Sequence, residues 1–360
     1  MSELLSIVDT PWHQPWPADD LERVPACPIC GGAERTVLHE HLVDNVFFAA
    51  QGKWTLHGCR QCGGAYLDPR PNTVSIHRAY TTYYTHLVAA PKVDYRSLSP
   101  LRRLRRRMTN GYTNWRYSTC EFPAMALGVI LMQALWPVRF KLDNEYRHMP
   151  KCPESGGTLL DVGCGSGAFL RTAKTCGWQV SGIDPDPKAV MNCRGQGFDV
   201  LQGGVEQFAE MDNLFDVITL NHVIEHVHDP VATLRACHRL LKPNGQLWLA
   251  TPNIDSLGHK QYGRDWRGLE PPRHLVLFNP ASLRLGLERA GFKKTACKTG
   301  SSPLRSMTKA NEAIRRGLSI DQDIPLSATK TCAVLTGRLW QALFPRSREF
   351  LTMAALKDSS

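Results

Sequence analysis

Two clusters in this 360-residue sequence have residue types and spacings that can do chemistry. One is Thr158-Leu-Leu-Asp-Val-Gly-Cys-Gly-Ser-Gly167, where an apolar run ends in Asp161 and is followed by Gly163, Gly165 and Gly167. Such a turn brings backbone close to a ligand, because no Cβ stands in the way. The other is Cys27-Pro-Ile-Cys30 with Cys59-Arg-Gln-Cys62, two C-x-x-C pairs separated by 28 residues. Four thiolates at that spacing can enclose zinc tetrahedrally, and with every position filled by sulfur the metal is structural.

The residues before the glycines read as a strand. Ala168, Phe169, Leu170 and Ala173 behind them read as a helix that opens at the turn. Its first N–H groups are unpaired and its N-terminus carries partial positive charge. Gly163, Gly165 and Ala168 also fit the dinucleotide pattern G-x-G-x-x-A. Asp161 tilts the choice: a carboxylate there opposes a pyrophosphate and suits a ligand with ammonium and sulfonium groups. The ligand inferred is S-adenosylmethionine, with Asp184, at the end of the run from Val180, accepting both ribose hydroxyls. From about Thr158 to Phe292 the chain resembles a class I S-adenosylmethionine-dependent methyltransferase. An NAD site or a chance glycine turn is the alternative.

The resemblance implies an α/β fold: a doubly wound, Rossmann-like sheet of seven strands in the order 3-2-1-4-5-7-6, closed by a strand over Glu349–Lys357. It places the loop after the third strand (Phe198–Gln202) along the adenine, which carries over to Gly204 and Val205; Asn221, at the end of the fourth strand, is the remaining cofactor-binding candidate. Phe215–Leu220 reads as the fourth strand and delivers Asn221, His222, Glu225 and His226 at its carboxyl end, where ligands sit in open α/β sheets. His222 could deprotonate a hydroxyl nucleophile, with simple packing as the competing reading. His274 is the second candidate for proton transfer. Some relatives that methylate RNA ends hold a divalent metal with a comparable Glu/His set. Here that set would be His222, Glu225, His226 and His274, with histidine where those relatives carry glutamate.

A long loop within residues 252–277 carries Trp266, Arg267, Arg273 and His274. At the mouth of the site, Trp266 could stack on a sugar or base and Arg267 and Arg273 could grip phosphates. Residues 71–150 read as a helical connector containing Tyr80, Tyr83 and Tyr84, taken as packing residues. Arg102, Arg103, Arg105, Arg106 and Arg107 put five arginines in six positions, and the seventeen residues from Phe122 to Val138 carry no charge. A bilayer span needs about 20 residues, so a buried helix, an interfacial segment and a true span are all open. Arginines ahead of an apolar helix suit anionic headgroups or a lipid diphosphate.

The net charge of +10 fits nucleic acid, an anionic membrane or a phosphate-bearing substrate as partner. Of the twelve cysteines, eight are scattered singly, and the N-terminus lacks the apolar core of a signal peptide. The expected compartment is a reducing cytoplasm, with peripheral membrane contact open. The expected segments are a flexible tail (1–20), a zinc ribbon (21–70), the connector (71–150) and the cofactor domain (151–360).

The ribbon ending in Asp68-Pro-Arg-Pro71, the tyrosine-bearing connector, the glycine turn and Pro271-Pro-Arg-His274 together resemble bacterial methyltransferases of cell-surface glycan and sugar biosynthesis. This implies O-methylation of a sugar, nucleotide sugar or lipid-linked glycan. The alternatives are a sugar C-methyltransferase, an RNA methyltransferase that binds RNA through ribbon and basic run, and a non-catalytic, membrane-associated cofactor-binding protein. Asn221-His-Val-Ile224 in place of an Asn/Asp-Pro-Pro-aromatic motif counts against modification of base amino groups.

Overall fold

The computed structural model describes residues 11–81, 95–298 and 303–359. Tyr83, Tyr84 and the first ten residues of the expected tail lie outside them. From Pro11 onward the N-terminal segment is packed: the ring of buried Trp16 meets Trp54 edge-on at 5.6 Å, and the Gly52 N–H donates to the Gln14 carbonyl at 2.9 Å. Within residues 11–20 Trp16 is anchored in this way, while His13, Gln14, Pro15, Pro17, Ala18 and Asp19 are exposed.

Strand β1 (Leu21–Glu22) pairs with β5 (Arg70–Pro71), while β2 (Arg35–Leu42), β3 (Trp54–Cys59) and β4 (Ala65–Leu67) form an antiparallel ribbon. Its fourth strand comes from far along the chain. Residues of β11 (Val276–Leu277) pair with Tyr66 and Ala65 of β4. The ribbon is thus no separate domain. Cys27, Ile29 and Tyr66 share one buried cluster with Leu275, Val276 and Phe278. The boundary expected at residue 70 is corrected accordingly.

The connector folds into α1 (Pro100–Tyr117), α2 (Leu127–Ala134) and α3 (Trp136–Glu145). Helices α1 and α2 touch backbone to backbone. A Cβ on Gly111 would stand 1.9 Å from the Met125 carbonyl oxygen, and one on Gly128 2.0 Å from that of Met108. The uncharged stretch is divided between two short helices, and among the described residues no helix is long and apolar enough to cross a membrane.

The central sheet contains β6 (Gly157–Val162), β7 (Trp178–Asp184), β8 (Asp199–Gln202), β9 (Phe215–Asn221), β10 (Leu241–Pro252), β12 (Lys294–Cys297) and β13 (Phe350–Leu356), in the spatial order β12-β13-β10-β9-β6-β7-β8. From β10 to β8 the pairing is parallel; β13 is antiparallel to both β10 and β12. Leu159, Leu160, Val217, Ile218, Leu247 and Leu249 are fully buried, as a parallel sheet covered on both faces requires. The cover includes α4 (Ala168–Thr175), α5 (Pro187–Gly195), α6 (Pro230–Leu240) and α8 (Pro280–Arg289), while α7 (Leu257–Tyr262), α9 (Leu304–Arg315) and α10 (Ala328–Leu343) pack on one another. Chain order reverses between β6 and β9, the switch point at which such sheets open a crevice beyond their carboxyl ends.

Candidate functional site

The glycine turn lies at that crevice. Gly163, Gly165 and Gly167 all take positive φ, at 71°, 51° and 73°. A Cβ on Gly163 would collide with Val223 and one on Gly167 with Cys193, whereas the space beside Gly165 is open to 4 Å. The Gly163 N–H donates to the Ile183 carbonyl at 2.7 Å and the Gly165 N–H to Oδ2 of Asp184 at 2.8 Å. The Asp186 N–H reaches Oδ1 of Asp184 at 3.0 Å. Two backbone donors thus fix the Asp184 carboxylate at the end of β7. Helix α4 begins at Gly167 with no side-chain cap. Val205 is buried in the turn after β8, next to Gly204, and Asn221 is exposed at the end of β9.

Asp161 is fully buried and is not a lone anion. Arg147 forms an ion pair with its Oδ1, and the Thr219 hydroxyl donates to the same oxygen at 2.8 Å. Oδ2 has no partner. Burial pushes this carboxyl up, against the pull of Arg147 and Thr219. The Arg147 guanidinium lies 3.8 Å from the centroid of Phe169 on α4. Sequence reasoning missed Arg147, an isolated arginine in a polar connector with no motif around it.

The residues present fit S-adenosylmethionine: there is open space at Gly165, an orphaned buried oxygen on Asp161, and a fixed carboxylate at Asp184. The Asp184 carboxylate beside the turn opposes a pyrophosphate, while the charge of Asp161 is balanced by Arg147.

Next along the crevice is His222, whose side chain is 38% exposed. Its φ is 56°, and its N–H donates to the Ala250 carbonyl at 2.9 Å, so β10 holds the residue as it leaves β9. Nδ1 lies 3.1 Å from Oε1 of Glu225, which is fully buried and accepts the Thr251 hydroxyl on Oε2 at 3.0 Å. Burial alone would raise the Glu225 carboxyl, but the hydrogen bond and charge of His222, with smaller pulls from His226 and His274, hold it at about 2.

His274 does not face solvent beside His222. It is buried, Nδ1 bonds the Gly268 carbonyl at 2.8 Å, and burial keeps it neutral by pushing its pKa down to about 4. As a solvent-facing proton-transfer residue it is corrected. It packs edge-on to His226, whose Nδ1 lies 3.0 Å from both the Arg273 carbonyl and the Tyr80 hydroxyl. One ligand atom each from Glu225, His226 and His274 fall within 4.8 Å of one another. His222, the fourth member of the set that some relatives use, is not among them.

Trp266 and Arg273 are corrected too. The Trp266 ring is buried and its Nε1 donates to Glu349 at 3.0 Å. Arg273 has no solvent exposure: Nε donates to Glu270 at 3.0 Å, and Nη1 to Asp44 at 3.0 Å and to the Ala79 carbonyl at 2.7 Å. Neither can stack on or grip an incoming ligand. Arg267 pairs with Glu270 and keeps part of its side chain in solvent. Through Trp266, Arg273 and His274 the loop expected at the mouth of the site braces the fold. It ties the ribbon to the floor of the crevice.

The cysteine cluster is built by two matching turns. The Gly31 N–H donates to the Cys27 carbonyl at 2.8 Å and the Gly63 N–H to that of Cys59 at 3.0 Å, with both glycines at positive φ. Sγ of Cys27 lies 3.6 Å from that of Cys62, and Sγ of Cys30 lies 3.4 Å from that of Cys59. A tetrahedron with bonds of about 2.3 Å separates its sulfurs by roughly 3.8 Å. The donor set fits zinc.

Residues 140–296 match the family model described as methyltransferase domain. That stretch, less than half of the chain, is similar to methyltransferase domains. Over 106 residues it is 44% identical to the ubiquinone biosynthesis O-methyltransferase of Pseudomonas paraeruginosa, covering 28% of this chain and 46% of that protein. The enzyme of the same name from Xanthomonas euvesicatoria is 37% identical over 129 residues, covering 34% and 52%. The chain thus spans about half the length of the curated relatives it matches. A solved S-adenosylmethionine-dependent methyltransferase from Archaeoglobus fulgidus, 19% identical, covers 65% of this chain and 95% of its own with a TM-score of 0.41.

Proposed function

We propose that the protein is an S-adenosylmethionine-dependent O-methyltransferase in which His222 takes the proton of the acceptor hydroxyl. The observation that carries this is a solvent-reaching imidazole held by a fully buried carboxylate, Glu225, at the carboxyl end of β9 and next to the glycine turn. S-adenosylmethionine supplies an electrophilic methyl group on a sulfonium. Asp184 and the Gly165 turn would hold its ribose, and Oδ2 of Asp161 its ammonium. With Nδ1–H donated to Glu225, Nε2 of His222 keeps a lone pair for the hydroxyl proton. As the new O–C bond forms and the C–S bond breaks, that proton moves to Nε2, and Glu225 stabilises the imidazolium. The acceptor we propose is a sugar hydroxyl, free, nucleotide-linked or lipid-linked, on the resemblance carried by the ribbon and Pro271-Pro-Arg-His274. A second reading follows the name of the relatives and takes an acceptor from ubiquinone biosynthesis. Transfer of labelled methyl groups to both acceptor classes, by wild type and His222→Gln, tests the proposal. Methyl ether formation lost in the variant supports it; equal turnover by both proteins rules His222 out as the base.

The Cys27, Cys30, Cys59 and Cys62 cluster is proposed to hold one structural zinc ion. Elemental analysis should find one zinc per chain in the wild type and a loss of both metal and thermal stability in Cys59→Ser. A metal-free wild type of unchanged stability would refute it.

A further inference from the structure

Helix α1 is embedded over only half its length. None of its residues from Pro100 to Thr109 is buried, while Asn110, Gly111, Tyr112, Thr113 and Tyr117 are. The free half carries all five clustered arginines, with Leu101 77% exposed and Leu104 also open to solvent. Helix α2 lies against this arm: the Met125 N–H donates to the Arg107 carbonyl at 2.9 Å, and Gly128 meets the Met108 backbone. Only Gly128 and Met132 of α2 are buried, so Leu127 and Ile130 stay exposed, Ile130 by 69%, and Phe122 just before it by 90%.

Charge on this surface is one-sided. Between residues 95 and 142 the chain has nine Lys and Arg residues and a single carboxylate, Glu121. A second copy of the chain would bring like charge against like. A nucleic acid would satisfy the arginines and leave the exposed leucines, Ile130 and Phe122 in water. An anionic bilayer satisfies both sets, because phosphate headgroups lie directly above an apolar layer.

We propose that the α1–α2 surface docks the protein peripherally on anionic lipid membranes, with the arginines on headgroup phosphates and Leu101, Leu104, Leu127 and Ile130 at the acyl boundary. The docking is independent of the acceptor assigned above. Vesicle flotation of the full-length protein tests it, comparing pure phosphatidylcholine with phosphatidylcholine–phosphatidylglycerol mixtures at low and raised salt. The wild type should float only with anionic vesicles and detach as salt rises. Arg102→Glu/Arg105→Glu should partition at least tenfold more weakly, since each basic side chain near such a surface contributes roughly fivefold. Leu127→Ser/Ile130→Ser should also weaken binding, with melting temperature and cofactor binding unchanged in both variants. Absence of wild-type binding, or wild-type partitioning by both variants, would overturn the proposal. Displacement from vesicles by RNA whose binding ignores Leu127→Ser/Ile130→Ser would also overturn it and assign the surface to nucleic acid.

Discussion

Nδ1 of His222 stands 3.1 Å from Oε1 of Glu225, and the carboxylate is wholly enclosed while the imidazole reaches solvent. An enclosed acid behind an accessible histidine fixes the ring tautomer and leaves the Nε2 lone pair outside that contact. Removing the base should therefore separate turnover from binding. His222→Gln is expected to lower kcat on the order of a hundredfold or more while S-adenosylhomocysteine affinity stays within a few-fold of wild type. Steady-state kinetics beside calorimetry check this, and a parallel loss of both would mean that His222 serves folding or cofactor binding instead.

Arg147 and Asp161 form a second pair beside the crevice, with Asp161 fully enclosed. Breaking it from one side strands a charge. Arg147→Met is expected to destabilise the fold by about 3–5 kcal/mol, and Arg147→Met/Asp161→Asn by clearly less. Urea unfolding of the two variants measures the difference, and additive losses would show that the pair is not coupled.

Arg273 gives a test of the brace. Enclosed between Asp44 and Glu270, it should behave as a structural cation, so that Arg273→Met lowers the unfolding free energy by about 3–5 kcal/mol. A variant of wild-type stability with a raised acceptor KM would return Arg273 to substrate binding.

Stability should also fall on mild acidification. Burial, then the charge of His259, pushes His39 from 6.5 down to about 4, and burial does the same to His274. Between those values the unfolded chain binds protons that the folded chain refuses, so stability rises with pH across the window and declines as pH drops toward 4. Glu225 is depressed from 4.5 to about 2 and so contributes mainly below the range in question. A urea midpoint at about pH 5 lower than at about pH 7 is expected, with a smaller difference in His39→Asn. Equal wild-type midpoints would contradict it.

What the sequence made legible was local. The glycine turn, the two knuckles and the strand that ends in Asn221 each announce themselves within a dozen residues, since turn geometry and strand periodicity are short-range properties. The fate of Arg273 was not legible, because its partner Asp44 lies 229 residues away. An arginine in a polar loop has the same sequence signature whether it grips a ligand or braces a fold. Trp266 was misread for the same reason, its partner Glu349 being 83 residues downstream. The pairing of β11 with β4 follows no pattern in either strand, and that pairing turns an apparent ribbon domain into part of the site's foundation.

The measurement that bears most directly on the methyltransferase reading is calorimetric titration of zinc-replete protein with S-adenosylhomocysteine, alongside Asp184→Ala. Saturable binding at one site per chain, lost in a variant that still melts cooperatively, is the predicted result. A folded wild type that ignores S-adenosylhomocysteine, or that binds NAD in its place, would contradict it.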